Sequence, residues 1–257
     1  MREAINKCKL CNEEKILCNS HIIPQFFFSY ILTDSKIAFV EKGNSYEKSS
    51  NGYKEKLLCL DCETKIGKHE KYVSETLLDI RNEKRAYYTD DNFNIYDNIS
   101  YFHFKLFALS LVWKSSISSL EFYSNIELNE RHEENMRLML LNNDPREENT
   151  YPILIFRIEN DKTNPLSDED LYLSIKTPHT SKLKSHHSYS IIAGGFAFTI
   201  IASSHMQQLE PHYNCIKKDN SLYIPKLMVS KNYLINSALK LLNSKRIKGH
   251  KKTIIIG

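Results

Sequence analysis

Two cysteine pairs limit what the first part of this chain can fold into. The first pair is Cys8-Lys-Leu-Cys11 and the second is Cys59-Leu-Asp-Cys62. Each CxxC pair forms a tight turn that points both sulfurs the same way, so two pairs can supply four thiolates to one tetrahedral zinc ion. The spacing therefore predicts that Cys8, Cys11, Cys59 and Cys62 bind a structural zinc.

Disulfides and plain buried thiols are the alternatives to a metal site. The chain has six cysteines in 257 residues, whereas disulfide frameworks are typical of small secreted domains. Residues Met1 to Lys15 mix charges of both signs and lack the apolar core of a signal peptide, so we expect a cytoplasmic protein. Cys18 and Cys215 are then expected to be reduced structural thiols.

The composition is that of an ordinary globular protein, with 41% hydrophobic and 26% charged residues. This length suits one large domain or two modest ones. The net charge of +4 permits a polyanionic partner without requiring one. The apolar stretch from Tyr101 to Val112 contains Lys105 and is shorter than the roughly 20 residues of a membrane helix. We therefore expect a buried core helix there and no membrane association.

The first 95 residues are predicted to form a domain with the order strand, strand, helix. Apolar residues Ile66, Val73, Leu77 and Ile80 recur at helical spacing directly after the second cysteine pair. The other predicted elements are a strand over Lys15 to Cys18 that ends at Asn19-Ser20-His21, a short buried helix from Gln25 to Leu32, strands over Lys36 to Glu41 and Tyr53 to Leu58, and a polar loop from Gly43 to Gly52.

Residues 96–257 are predicted to form an α+β domain, after an exposed polar segment from Tyr88 to Asn98. A helical part comes first and an antiparallel sheet with a C-terminal helix follows. The predicted helices are Ser100 to Leu120, Asn129 to Leu141 and Lys231 to Lys245, and the predicted strands are Tyr151 to Ile158, an alternating Leu171, Leu173 and Ile175, and a pair from Tyr189 to Ala193 and Phe196 to Ala202 joined at Gly194-Gly195.

The string Ser20-His21-Ile22-Ile23-Pro24 lies shortly after the first cysteine pair. A histidine titrates near neutral pH and can act as a general base, while a carboxylate on a facing helix can bind a divalent cation. Glu63 follows Cys62 in the first turn of the predicted helix, and His69 and Glu70 come later on it. His21 and Glu63 are therefore the candidate catalytic residues.

These residues resemble the HNH (ββα-metal) endonuclease family, in the variety whose two CxxC pairs bind a structural zinc. The matching pieces are Cys8-x-x-Cys11, His21-Ile22-Ile23-Pro24 and Leu57-Leu58-Cys59-x-x-Cys62, within the first quarter of the chain. The resemblance implies a zinc-stapled ββα unit, DNA as substrate, Mg²⁺ or Mn²⁺ as catalytic ion, His21 as base and Glu63 at the metal position. The Ser-His-Ile-Ile-Pro variant resembles bacterial proteins of unassigned role, some of them in antiphage defence, so the resemblance also implies a role in such defence.

The chain departs from the family pattern at two positions. Ser20 stands where the family usually has an acidic metal ligand. The middle asparagine has no clean match, because Lys54 or Glu55 occupies its region and Asn51 comes somewhat early. Retention of His21-Ile22-Ile23-Pro24 favours a nuclease, whereas these two departures favour a non-catalytic protein that has lost the nuclease site.

Simpler structural roles are the alternatives for each candidate. His21 could be a structural histidine, and an acid such as Glu63 is stabilised at a helix N-terminus without any metal. We expect His69 and Glu70 on a solvated helix face. The remaining candidates are His179, His186 and His187, expected in a polar loop, and the basic end formed by Lys245, Arg246, Lys248, Lys251 and Lys252.

Two functional hypotheses follow from the sequence. The first is a metal-dependent endonuclease that hydrolyses DNA with His21 as base. The second is a non-catalytic zinc-ribbon module that binds nucleic acid or a partner protein. In either case residues 96–257 could bind a protein partner or form a homo-oligomer.

Overall fold

The computed structural model describes residues 5–29, 38–42, 45–49, 51–81, 86–89, 93–160, 168–183, 186–202 and 216–228. The helices are α1 (Phe26–Ser29), α2 (Leu60–Arg81), α3 (Tyr101–Ser116), α4 (Glu130–Asn142) and α5 (Asp168–Leu173), and a 3-10 turn covers Glu121–Tyr123. The strands are β1 (Ile5–Lys7), β2 (Glu14–His21), β3 (Ala38–Lys42), β4 (Ser45–Ser49), β5 (Lys54–Cys59), β6 (Ala86–Thr89), β7 (Phe93–Tyr96), β8 (Ile153–Glu159), β9 (Ser174–Ile175), β10 (His179–Leu183), β11 (His186–Ala193), β12 (Phe196–Ala202) and β13 (Leu222–Met228). The predicted α+β mixture is confirmed.

The small N-terminal sheet has the strand order β1-β2-β5. β2 pairs with β5 in antiparallel fashion, with His21 opposite Lys54, and a bulge lies between Leu17 and Asn19. α2 begins at the residue after β5 and follows it without a loop. β2, β5 and α2 thus have the predicted order strand, strand, helix, with α1, β3 and β4 inserted between the two strands.

Helix α2 packs through the apolar positions that the sequence indicates. Ile66, Val73, Leu77 and Ile80 are all buried, and α2 lies against α3. Burial of such a face stabilises a helix far more than its intrinsic propensity does. The prediction of an amphipathic helix after the second cysteine pair is therefore confirmed.

Helix α3 is the central helix of the core. Thirteen of its residues are buried, among them Lys105 and Lys114, and Ser100 caps its N-terminus by accepting a hydrogen bond from the His103 N–H. Within the described residues, no helix is both long and apolar enough to cross a bilayer. The buried core helix is confirmed.

A seven-stranded sheet has the order β10-β11-β12-β8-β13-β7-β6. All its strand pairs are antiparallel except β13 with β8, so the sheet is mixed and not wholly antiparallel as predicted. The turn between β11 and β12 uses the predicted Gly194-Gly195, whose φ values of 64° and 78° suit glycine. A side chain at Gly195 would also collide with Tyr172.

Three local predictions are wrong because strand pairing overrides the local polarity pattern. Part of the predicted loop from Gly43 to Gly52 is β4, which pairs with β3. The alternating Leu171, Leu173 and Ile175 span α5 and the short β9, which pairs with β3 from the first half of the chain. Part of the polar segment from Tyr88 to Asn98 is β7, which pairs with β13.

Two further predictions have no outcome in this structure. The C-terminal helix from Lys231 to Lys245, Cys215 and the basic end lie outside the described residues. Buried apolar side chains from before and after residue 95 form one cluster, including Phe27 of α1 and Phe198 of β12. The division into residues 1–95 and 96–257 stays a prediction.

Candidate metal centre and histidine site

The first cysteine pair forms a tight turn directly after β1. The Asn12 N–H donates to the Cys8 carbonyl at 2.9 Å, and the Cys8 N–H donates to the Glu13 carbonyl at 2.9 Å. Asn12 has a left-handed φ of 63°, which asparagine tolerates better than most residues. The turn buries Leu10 completely and brings the thiols of Cys8 and Cys11 close together.

The second pair joins the end of β5 to the first turn of α2. The Cys59 N–H donates to the Cys8 sulfur at 3.3 Å, and the Lys9 N–H donates to the Leu57 carbonyl at 3.0 Å. These two bonds cross between the cysteine turns and fix their relative position. Residues that are 48 or more apart in sequence therefore meet at one point.

The four sulfurs form a cluster of metal-binding dimensions. Their Sγ atoms all lie within 4.8 Å of one another, and the Sγ atoms of Cys11 and Cys59 are 3.9 Å apart. A tetrahedral zinc with Zn–S bonds of about 2.3 Å requires sulfurs about 3.8 Å apart. All four cysteines are free thiols. The predicted cluster is confirmed, and its donor set and dimensions fit a structural zinc ion.

The thiols differ in how readily each forms a thiolate. Burial raises the pKa of Cys8, but hydrogen bonds from the backbone N–H groups of Cys11, Cys59 and Leu10 outweigh this effect and lower it to about 7. Burial and neighbouring sulfurs raise the pKa of Cys62. Four close thiolates would repel one another without a cation, which is the arrangement that a bound metal ion stabilises.

Ser20 and Glu63 lie in contact between β2 and α2. The Ser20 hydroxyl donates to Glu63 Oε2 at 2.7 Å. Ser20 is 0% exposed and Glu63 is half-buried. The two positions at which the sequence resemblance puts metal ligands are thus neighbours, although one of them holds a hydroxyl.

His21 occupies the last position of β2, with a defined ring orientation. Its Nε2 lies 3.0 Å from the Asn51 carbonyl oxygen. A carbonyl can only accept, so Nε2 carries the hydrogen and Nδ1 of a neutral ring keeps its lone pair. Burial is the main cause that lowers the pKa of His21, and the charges of Lys54 and Lys114 lower it further. The ring is therefore neutral at physiological pH.

Lys114 of α3 fixes the backbone of His21. Its Nζ donates to the His21 carbonyl oxygen at 2.7 Å and to Glu70 Oε1 at 2.7 Å. The Lys114 side chain is 1% exposed and that of Glu70 is 20% exposed. A buried lysine without such partners would be strongly unfavourable, so this ion pair connects α2, α3 and the end of β2.

The prediction that His69 and Glu70 lie on a solvated helix face is wrong. His69 is 3% exposed because α3 and the end of α4 cover it, and its Nδ1 lies 3.0 Å from Nδ1 of His103. Its Nε2 lies 3.4 Å from Asn143 Oδ1. Burial lowers the pKa of His69 to about 4, so the ring is neutral and has a structural role.

The other histidines also differ from their predicted setting. His179 begins β10, and His186 and His187 begin β11, so these residues belong to a β-hairpin and not to a polar loop. Across the described residues, the four cysteines are the only group of three or more His, Cys, Asp or Glu side chains close enough to share an ion. A second ion at Glu63 would need water and substrate oxygens to complete its ligands.

Asn51 and Lys114 are the site residues that sequence reasoning missed. Asn51 contacts His21 through its backbone carbonyl, which has no side-chain signature in the sequence. Lys114 lies 93 residues from His21 in the last turn of α3, and no local sequence pattern links the two. Comparisons with protein families, with curated proteins and with solved structures found no match.

Proposed function

We propose that this protein is a zinc-stabilised, metal-dependent nuclease that hydrolyses DNA phosphodiester bonds with His21 as general base. The observation that carries the proposal is the hydrogen bond from His21 Nε2–H to the Asn51 carbonyl. It holds the ring in one orientation with the hydrogen on Nε2 and a lone pair on Nδ1, and the Gln25 side chain is a further hydrogen-bond partner of the ring. The resemblance of residues 8–62 to the HNH family supports the same assignment.

The reaction needs a base, a polarised phosphate and a leaving group. Nδ1 of His21 removes a proton from water, the water oxygen attacks phosphorus, and the P–O ester bond breaks. The departing alkoxide takes a proton from solvent. A Mg²⁺ or Mn²⁺ ion would supply Lewis-acid stabilisation of the phosphate and of the leaving oxygen.

This chain's own residues prepare the site for that chemistry. Lys114 holds the His21 backbone, and the lowered pKa of His21 keeps the base unprotonated near neutral pH. Glu63 would supply a hard oxygen ligand to Mg²⁺ beside β2. A zinc ion held by the four cysteines would fix the start of α2, and therefore Glu63, relative to β2. An enzyme of this kind would serve in antiphage defence by cutting invading DNA.

A specific observation favours the second candidate, a non-catalytic zinc module that binds nucleic acid or a protein. Ser20 is completely buried, and its hydroxyl already donates a 2.7 Å hydrogen bond to the Glu63 carboxylate. With no second carboxylate at this contact, affinity for a divalent ion would be weak. In that case His21 and Lys114 stabilise the end of β2 and catalyse nothing.

Incubation with supercoiled plasmid separates the two candidates. Zinc-loaded wild type is expected to nick or linearise the plasmid in Mg²⁺ or Mn²⁺, and His21→Ala is expected to lose this activity. His187→Ala is the matched control, because His187 is an exposed strand histidine far along the chain. If wild type binds the plasmid in a gel-shift assay but leaves it intact with either ion, the nuclease proposal is wrong.

A further inference from the structure

Lys54 lies directly opposite His21 in the small N-terminal sheet. The two residues are paired in the antiparallel ladder of β2 and β5. Residues paired in this way carry their side chains on the same face, with Cβ atoms about 5 Å apart. Lys54 is exposed and His21 is half-buried, so an ammonium group and an imidazole ring share one accessible face of this strand pair.

The Lys54 ammonium group has no counter-ion in the part of the chain that the structure describes. No hydrogen bond or ion pair involves it there. The neighbouring carboxylate, that of Glu55, accepts hydrogen bonds from the hydroxyls of Ser118 and Ser119, both at 2.7 Å. Adjacent residues of a strand point to opposite faces, so Glu55 is directed away from Lys54. The positive charge of Lys54 is therefore available to an incoming anion.

The charges that act on the His21 ring are positive. Burial is the largest cause that lowers the pKa of His21, and the charges of Lys54 and Lys114 lower it further. The Lys114 charge is balanced by Glu70, whose Oε1 lies 2.7 Å from its Nζ, whereas that of Lys54 is not. The field at this face therefore favours an anion over a cation.

The turn before β5 fixes the backbone from which the Lys54 side chain extends. Gly52 has a φ of 61°, and a side chain there would lie 2.6 Å from ring atoms of Phe28. The Asn51 carbonyl before it orients the His21 ring, and Lys54 begins β5 two residues after it. One turn thus positions both groups, and only the flexible lysine side chain has to become ordered when an anion binds.

We propose that Lys54 and His21 form a phosphate site, in which the Lys54 ammonium group binds a non-bridging oxygen of the DNA phosphodiester that is cleaved. This inference rests on the proposed nuclease function and names the residue that holds its substrate. An ammonium–phosphate contact is a charge-assisted hydrogen bond, and it strengthens as negative charge develops in the transition state. An acidic segment of a partner protein is the competing occupant.

Binding of a labelled DNA duplex to the zinc-loaded full-length protein tests the contact by fluorescence anisotropy, without added Mg²⁺ or Mn²⁺ so that the duplex stays intact. Lys54→Gln should weaken binding by about threefold to tenfold and reduce the slope of log affinity against log salt by about 1, because one phosphate contact is lost. Lys54→Arg, which keeps the charge, should bind like wild type. Lys68→Gln, at an exposed lysine of α2, is the control for the change in net charge.

Single-turnover plasmid cleavage in Mn²⁺ tests the contribution of the same contact to the reaction. Lys54→Gln should lower the rate by about tenfold or more, whereas Lys54→Arg should retain most of it. Besides burial, the Lys54 charge lowers the pKa of His21, so its removal should also move the midpoint of the pH–rate profile to higher pH. A purely structural effect would leave that midpoint unchanged.

The outcomes separate this site from the nuclease proposal. Lys54 is exposed, so thermal unfolding of Lys54→Gln should match wild type. If wild type cleaves and Lys54→Gln binds and cleaves equally well, the phosphate site is wrong and the nuclease proposal stands. If wild type binds the duplex through Lys54 but never cleaves it, the nuclease proposal is wrong and the phosphate contact stands. Lys54-dependent binding of an oligoglutamate peptide, with no affinity for the duplex, would overturn the phosphate site in favour of an acidic protein segment.

Discussion

The hydroxyl of Ser20 and the carboxylate of Glu63 are joined by a 2.7 Å hydrogen bond between β2 and the first turn of α2. The bond brings together two positions that are 43 residues apart in sequence. Its geometry would suit a pair of metal ligands, but a hydroxyl paired with one carboxylate is a weak site for Mg²⁺. Substitution of Ser20 can therefore report directly on the metal-binding capacity of this contact.

Ser20→Asp should convert this weak contact into a tight divalent-metal site at the expense of stability. Two carboxylates would then face each other in a buried place, and we expect a loss of about 3 kcal/mol without metal. Millimolar Mg²⁺ or Mn²⁺ should raise Tm by roughly 5 °C or more, because bound metal stabilises the folded state. Differential scanning fluorimetry measures both effects. Ser20→Asn, which adds no charge, should show no metal-dependent shift, and equal behaviour of the two variants would contradict the assignment.

Zinc removal should unfold the N-terminal part of the chain. Protein purified without chelator is expected to contain one zinc per chain by elemental analysis, and Cys8→Ser or Cys62→Ser should lose the metal. Structural zinc contributes folding free energy directly, so Tm should fall by about 10 °C or more. Cys18→Ser is the control, since Cys18 lies on β2 outside the cluster. A wild-type zinc content well below one would refute the four-cysteine site.

The buried ion pair of Lys114 and Glu70 should contribute strongly to stability. Lys114→Met removes the donor to the His21 carbonyl and leaves Glu70 without its cation, so we expect a loss of about 3 kcal/mol by urea unfolding. Glu70→Gln in the same background should restore part of the loss. Lys15→Met, at an exposed ion pair with Asp61, should change little. Equal effects of the two lysine substitutions would contradict this account.

Lys105 should make stability rise with pH above neutrality. Burial lowers its pKa from 10.5 to about 7, and its Nζ donates to the Tyr151 carbonyl. Between these two pH values the unfolded chain binds a proton that the folded chain lacks, so raising the pH favours folding. Well below pH 7 Lys105 is protonated in both the folded and the unfolded state, so the free-energy cost of burying its charge no longer changes with pH.

Urea unfolding at pH 7 and pH 9.5 measures this contribution. Wild type should gain roughly 3 kcal/mol more than Lys105→Met over this interval. Lys68→Met, on the exposed side of α2, should follow wild type. If Lys105→Met shows the same pH dependence as wild type, the lysine is charged in the folded protein.

Local patterns predicted the elements whose residues carry their own signature. Cysteine spacing located the four-cysteine cluster, and the helical spacing of Ile66, Val73, Leu77 and Ile80 located α2. The remaining features depend on tertiary contacts that the local sequence does not indicate. His69 and Glu70 looked solvated because nothing in their own segment indicates that α3 covers them. β4 forms a hairpin with β3 in spite of its polar composition, and β9 pairs with β3 from far along the chain, a contact that no local window contains.

The candidate catalytic site was predictable from the sequence only in part. The position of His21 at the end of a strand and its nearness to Lys54 follow from the strand order, whereas its contact with Asn51 depends on a backbone atom. The charge environment of the ring also depends on Lys114, which comes from a helix more than 90 residues later. Such contacts become visible only when the chain is folded.

The pH dependence of plasmid cleavage tests the role of His21 most directly. Single-turnover rates in Mn²⁺ or Mg²⁺ between pH 4.5 and 9 should rise and then level off with a midpoint below 6.5, because burial and the nearby lysines lower the pKa of His21 from that value. His21→Ala should lose this inflection and about 100-fold or more of the rate, whereas His187→Ala should retain both. Cleavage by His21→Ala at the wild-type rate, or the absence of cleavage by wild type at every pH, would contradict the assignment of His21 as the base.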